Sequence, residues 1–547
     1  MTLTPRRPAR GGRAVSLALA SLSAFALVTA CAGPPRQSGD QLPFKLSAGT
    51  PAAKGEIDSF SWATYAEPPT LDYIQAFDYP QNTILSNVCE SLMRWTPQLT
   101  EQPGLAEQAT NPDPNTWVFD LRPNVRFHDG GTMTADDVVF SLNRQMDPNN
   151  SSAWASVFQN VDSITKTGPL QVTVKLKSPD SQFLQYMATT AGVVASAQGV
   201  QAAGKDYGTT GSLDCTGPFK LGTWTKGQSL NLDRFDGYWG TKAKAKQVVF
   251  KFLTDSSART NALLTGDVDG GYLIPSESYA HLRNTSAGTL YFGEGLSTVN
   301  VNITNMQGAL GDVRVRKALS LALDRSGFVN TGLGGAGTVT TSLTAKAAWS
   351  ADPNAQAAAF NGLPPTAADI AQATQLVKDA GATGKTLTMA TSSIGQDVSL
   401  LATAVQSAGA RIGLNIQLKT IAPNAFTALF TDPKARDGID MFPETYYLSI
   451  TDPMDLLTNF QTGSYQNYSG YSDKSYDDLA KQAIGTYDPA QRLSLEAQLN
   501  QKAADQVLWI PVAEWPTSLF LNKRITGAPT TISYLYYPWA ADVGAAQ

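Results

Sequence analysis

Histidine and cysteine are scarce in this chain of 547 residues, which holds two of the first and three of the second. The two histidines, His128 and His281, leave few ways to build a histidine-dependent catalytic triad. No Gly-x-Ser-x-Gly elbow occurs. No cysteine, histidine and aspartate cluster has zinc spacing. The expectation is therefore a protein with no enzymatic activity, no metal and no cofactor. Charge is also sparse, at 16% of residues, with a net −5 and a pI near 5.3. A nucleic-acid partner would need a basic face, so it is not expected. No uninterrupted run of 18 apolar residues occurs, so no membrane-spanning helix is predicted.

What is present begins with a targeting pattern. Arg6, Arg7, Arg10 and Arg13 precede the uncharged apolar run Ala14 to Val28. That run is about 15 residues, shorter than the roughly 20 a bilayer span needs, and reads as a signal peptide. Val28-Thr29-Ala30-Cys31 resembles a bacterial lipobox, which implies cleavage before Cys31 and lipidation of its thiol. Residues 1–30 are read as the lipoprotein signal peptide. Residues 31–54, rich in Gly, Pro, Ser and Ala, are read as a flexible tether. The anchored body then stands outside the cytoplasm, on the outer face of the membrane. Cys89 and Cys215 are the remaining thiols. Outside the cytoplasm such thiols pair readily, but sequence does not show proximity, so their disulfide is a possibility only.

The body of about 490 residues is too long for one core and suggests two or three domains. Strand and helix patterns alternate along it, which points to α/β lobes. Trp117–Leu121 alternates like a half-buried strand, and Val125–Phe127 reads as a second short one. Thr134 and Asp137 form a capping-box pattern before Val138, Val139 and Leu142. Asp312–Arg325 reads as one helix whose Val315, Ala318, Leu319 and Ala322 face the core, with Arg314 and Arg316 on the surface. Further helices are predicted at 256–265, 367–380, 398–412, 476–484 and 489–506. Gly332–Gly337 matches Gly-x-Gly-x-x-Gly, but a helix precedes it and a Thr/Val-rich stretch follows, so it reads as a loop rather than a dinucleotide site.

Several stretches together resemble the oligopeptide, dipeptide and nickel class (family 5) of solute-binding proteins of ABC importers. They are Glu67–Asp72, Cys89–Leu92, Gly104–Glu107, Trp117–Leu142, Thr216–Lys220, Tyr238–Trp239, Asn261–Asp269 and Asp312–Arg325, in that order. The resemblance implies an α/β, two-lobed periplasmic-binding-protein fold with an extra inserted domain. Mixed sheets are flanked by helices, and a ligand cleft lies between the lobes. Domain I would comprise 55–95, 213–298 and 512–547, the inserted domain II 96–212, and domain III 299–511. The implied function is capture of a small solute, an oligopeptide first, by hinge closure, with delivery to the permease and ATPase subunits of an importer. The lipoprotein is expected to be a monomer. An oligosaccharide or metal chelate as ligand, or a sensor role without import, are the alternatives.

The resemblance also implies a binding segment, which matches Tyr446 to Pro453 here. In peptide-binding members an acid in that segment pairs with the peptide's α-ammonium. Ser449 stands at that position, and a neutral hydroxyl binds a cation more weakly than a carboxylate does. Either Glu444 supplies the charge, or the ligand lacks a free amino terminus. Tyr446 and Tyr447 are the expected ligand contacts. Tyr65 and Glu67 are expected to approach from domain I, and Trp515 from just beyond a second hinge strand at Leu508–Val512.

Overall fold

The computed structural model describes residues 44–209, 213–349 and 353–547. The signal peptide, Cys31 and the start of the tether lie outside the described residues.

Eleven strands form one mixed sheet. Its centre is an antiparallel pair of long strands, Gly288–Ile303 and Trp509–Asn522. At one end, Gly270–Tyr272 joins the second of these at Leu519–Leu521. Ile57–Thr64, Ala245–Phe252, Ser229–Arg234 and Phe219–Thr225 continue outward in that order. At the other end, Met441–Tyr447 joins the first long strand at Ser297–Ile303, followed by Thr386–Thr391 and Asn415–Thr420. The two long strands are thus shared by both halves of the sheet.

Between the halves the ladder slips. Gly293 pairs with Thr517, but the next pair is Ser297 with Trp515, so three residues face Pro516 alone. Pro516 has no amide hydrogen to give the ladder. Leu296 takes a left-handed φ of 47°, which costs a residue with a side chain roughly 1–2 kcal/mol. A Cβ on Gly295 would meet the Trp515 carbonyl oxygen at 2.4 Å, so only glycine fits there. A bulge of this kind bends the sheet at the junction of its two halves.

A separate four-stranded antiparallel sheet holds Ala106–Asp113, Thr116–Leu121, Gln171–Leu176 and Val161–Gly168. The helix Ala135–Met146 starts at Thr134, whose amide and hydroxyl both donate to Asp137 Oδ2, at 3.0 and 2.9 Å. Cys89 and Cys215 are bridged, with Cα atoms 4.9 Å apart across 126 residues of chain.

Four expectations are corrected. Residues 44–54 do not form a free tether. Ser47, Thr50 and Lys54 donate their amides to Phe292, Ala528 and Ala545 at 3.0, 3.0 and 2.8 Å, so this segment is tied to the body. The helix after Asp312 ends at Ala322, and a second, Arg325–Gly332, begins behind its own cap, Asp324. Arg316 is buried rather than on the surface, because its guanidinium caps the last carbonyl of the helix Pro489–Gln506 and that of Leu310, each at 2.6 Å. Val125–Phe127 makes only the isolated bridge Arg126–Thr132.

Candidate functional site

The two halves of the sheet meet at a group of tyrosines. Tyr79 opens the helix Tyr79–Leu85 of the first half, and Tyr447 ends the strand Met441–Tyr447 of the second. Their ring centroids lie 4.7 Å apart, and the Tyr447 hydroxyl donates to the Phe77 carbonyl. Tyr65, at the end of the first strand, donates to both oxygens of Asp78 at 3.2 Å. Tyr534 and Tyr536 close the group from the C-terminal segment, and their buried hydroxyls have no hydrogen-bond partner. Tyr536 lies beside Tyr447, Ser449 and Asp455.

Two carboxylates stand in this group. Asp455 accepts from the Tyr186 hydroxyl and from the Ser449 amide, both at 2.7 Å. Burial pushes its carboxyl up to about 6 against those bonds. Asp78 accepts from the Tyr79 amide at 2.8 Å, capping that helix, and burial raises it too. No cation pairs with either one among the described residues. A buried carboxylate without a counter-charge is costly, and a bound cation would relieve it. On the same strand, the edge of residues 442–447 that turns away from Gly288–Ile303 has no strand beside it, because Thr386–Thr391 pairs only at Met441.

A cavity of about 1070 Å³ lies elsewhere, lined among others by Leu46, Pro97, Glu294, Trp349, Asp452 and Arg492. Two of its acids share a cation, since Arg492 reaches Asp452 at 3.3 Å and Glu496 at 3.1 Å, whereas burial raises the Glu294 carboxyl with no cation paired to it among the described residues. None of the tyrosines above lines it. The tyrosine group draws on both halves of the sheet and is the candidate site.

Residues 100–468 match the model of the bacterial extracellular solute-binding proteins, family 5. The chain belongs to this family. The glutathione-binding protein GsiB of Shigella dysenteriae serotype 1 is 25% identical over 475 residues, covering 84% of this chain and 89% of that protein. Among solved structures, the periplasmic binding protein DppA of Helicobacter pylori, in complex with the peptide STSA, superposes with a TM-score of 0.79 at 20% identity, over 90% of this chain and 99% of that one. The binding protein AgaA with agropinic acid, from A. tumefacien R10, gives 0.78 at 22% identity, over 89% and 98%. The fold is the two-lobed α/β fold of periplasmic binding proteins.

As a family 5 solute-binding protein of the ABC-importer kind, the chain captures a small solute outside the cytoplasm and works with a permease. Its sequence-predicted residues divide by strand face. Tyr447 and Trp515 both pair with Ser297 and so share its face, and Tyr65 meets them through Asp78 and Tyr79. Trp515 lies inside the strand Trp509–Asn522 rather than past its end, and its buried indole nitrogen has no partner. Ser449 reaches the group through its amide bond to Asp455. Glu444 and Tyr446 fall on the opposite face, where Tyr446 packs on Trp509 at 5.9 Å. Glu67 turns away: its carboxylate accepts from Trp224 Nε1 at 2.8 Å and from the Gly227 amide at 2.9 Å. His128 is structural, bonded through Nε2 to the Gly217 carbonyl, and burial lowers it to about 4.

Asp78, Tyr79, Asp455, Tyr534 and Tyr536 were not predicted. Asp78-Tyr79-Pro80 carried only a helix-start signal, and the C-terminal tyrosines carried none. Asp455, three residues beyond Asp452, is visible only once Ser449 and Tyr186 are seen to point at it.

Proposed function

We propose that the chain is the lipid-anchored capture subunit of a peptide importer, and that its solute is a short peptide with a free, positively charged amino group. The observation that carries this reading is the pair of carboxylates, buried Asp455 and half-buried Asp78, that no cation pairs with among the described residues, set among tyrosines drawn from both halves of the sheet. Asp455 then takes the role that Ser449 cannot, and binds the ammonium through a charge-assisted bond. The unpaired edge of 442–447 can take an extended backbone by strand addition, while Tyr65, Tyr79, Tyr447 and Trp515 enclose side chains. Contacts to both halves favour the closed arrangement, which turns at the bulge of residues 294–296.

The domain scheme of 55–95 with 213–298 and 512–547, an inserted 96–212, and 299–511 is supported by the sheet order and by the separate four-stranded sheet within 106–176. Anchoring rests on the Val-Thr-Ala-Cys motif: a Cys31→Ser change should release the protein from membranes, and mass spectrometry should find acyl chains on Cys31. The test of the ligand is calorimetry with trialanine and N-acetyl-trialanine. The free peptide should bind at least about tenfold tighter, since an ion pair of this kind contributes on the order of 1.5–3 kcal/mol. Equal affinity for the two would overturn the ammonium reading.

A further inference from the structure

The face of the strand Met441–Tyr447 that turns away from Tyr447 carries a second polar cluster. Glu444 pairs across the ladder with Asn300, and Asn302 follows Asn300 on the same face. Asn302 Nδ2 donates to Glu444 Oε2. Asn300 Nδ2 donates to Thr298 O at 3.1 Å and Thr298 Oγ1 at 2.9 Å. With both amide nitrogens engaged, the side-chain oxygens of Asn300 and Asn302 are left without a partner, although both residues are 0% exposed. The buried Tyr468 hydroxyl, within the field of Glu444, also has none.

Burial raises Glu444 to about 7, with the Asn302 bond alone pulling it back. Arg436, the cation beside Tyr468, lies over the Tyr468 ring at 4.8 Å and donates to the Leu429 carbonyl at 2.6 Å. It forms no ion pair with Glu444 among the described residues. The cluster is therefore rich in acceptors and short of donors. Buried polar groups are otherwise nearly always partnered, so three orphans around one uncompensated acid require an explanation. Glu444 itself is half-buried. The group that satisfies it brings several N–H donors and a positive charge.

We propose that Glu444, Asn300, Asn302 and Tyr468 form a subsite for a guanidinium or ammonium side chain of the bound solute, so that the chain prefers peptides carrying arginine or lysine. This rests on the peptide reading above and adds the side-chain chemistry. The cluster lies beside Tyr446, whose hydroxyl accepts from Asn459 and which sits within the fields of both Asp455 and Glu444. An extended peptide paired along the free edge of residues 442–447 turns alternate side chains to the two faces of that strand, one of them the face of Glu444.

The test is calorimetry on the full chain with Arg-Ala-Ala, Ala-Arg-Ala and Ala-Ala-Arg, each against its citrulline counterpart. Citrulline keeps the shape of arginine and removes the charge. One arginine position should bind at least about tenfold tighter than its counterpart. Glu444→Gln should shrink that ratio to within about threefold, as expected when the acid of a charge-assisted bond becomes neutral. Equal binding of arginine and citrulline at all positions overturns the subsite and leaves the peptide reading standing. An arginine preference that survives Glu444→Gln also overturns it, since its source is then elsewhere. Binding of none of the peptides overturns both. The arginine and citrulline comparison on the unaltered chain keeps the proposal testable if Glu444→Gln fails to fold.

Discussion

Glu90 and Asp455 are both buried acids, and the difference between them separates structure from site. Glu90 stands next to the Cys89–Cys215 bridge and accepts from Thr216 Oγ1 at 3.0 Å and from the Tyr238 hydroxyl and Trp239 Nε1 at 2.7 Å, with Arg94 at 3.9 Å. Asp455 accepts two bonds, has no cation, and lies beside hydroxyls that have no partner. Burial lifts both carboxyls. The first is answered by its own chain and holds segments together. The second is left short of charge at the place where the two halves of the sheet meet, which is what the proposed ligand role of Asp455 requires.

The largest effect should come from the bridged region. Replacing Cys89 and Cys215 by serine opens a loop of 126 residues, and should cost about 3–5 kcal/mol in denaturant unfolding. Glu90→Ala should cost about 3 kcal/mol, because it strands three buried donors and the Arg94 charge. Asp455→Asn should lower affinity for a free-amine peptide at least about tenfold while costing less than about 1 kcal/mol of stability. If it destabilises the chain as much as Glu90→Ala, the contrast between the two acids is broken and Asp455 belongs to the fold.

The smallest effect is in pH. Asp455 at about 6 and Glu444 at about 7 lie above their ordinary values of 3.8 and 4.5. The folded chain then holds more protons than the unfolded chain between about pH 4 and 7, so stability falls as pH rises through that window. The melting temperature of the unliganded protein should be lower at pH 8 than at pH 5, and Asp455→Asn should narrow the gap. An identical gap in the variant would show that this acid is under no strain.

Local signals in the chain were sufficient for much of the frame. Pro489–Gln506, Thr116–Leu121 and the Thr134 start are set by caps, proline and apolar period, all of which act within a few residues. The ordered stretches from Glu67 to Arg325 carried the family, and with it the lobes. Short-range pattern failed where a partner came from far away. Arg316 reads as a surface residue until Gln506, 190 positions on, supplies a carbonyl to cap. Residues 44–54 read as a tether until their amides meet Phe292, Ala528 and Ala545.

The candidate site shows the same division. Tyr65, Tyr447, Ser449 and Trp515 were named from the chain because they sit on or beside strands whose place the family pattern implied. Glu67 was expected to approach from domain I, and its carboxylate is engaged by Trp224 and Gly227, remote in sequence. Asp455 was missed because an acid's role depends on which donors and cations surround it, and those come from Tyr186 and Ser449 on separate segments. Residue order settles periodicity, caps and kinship, since these rest on neighbours along the backbone. Charge balance in a buried site is a sum over groups brought together by folding, so only the assembled structure could decide it.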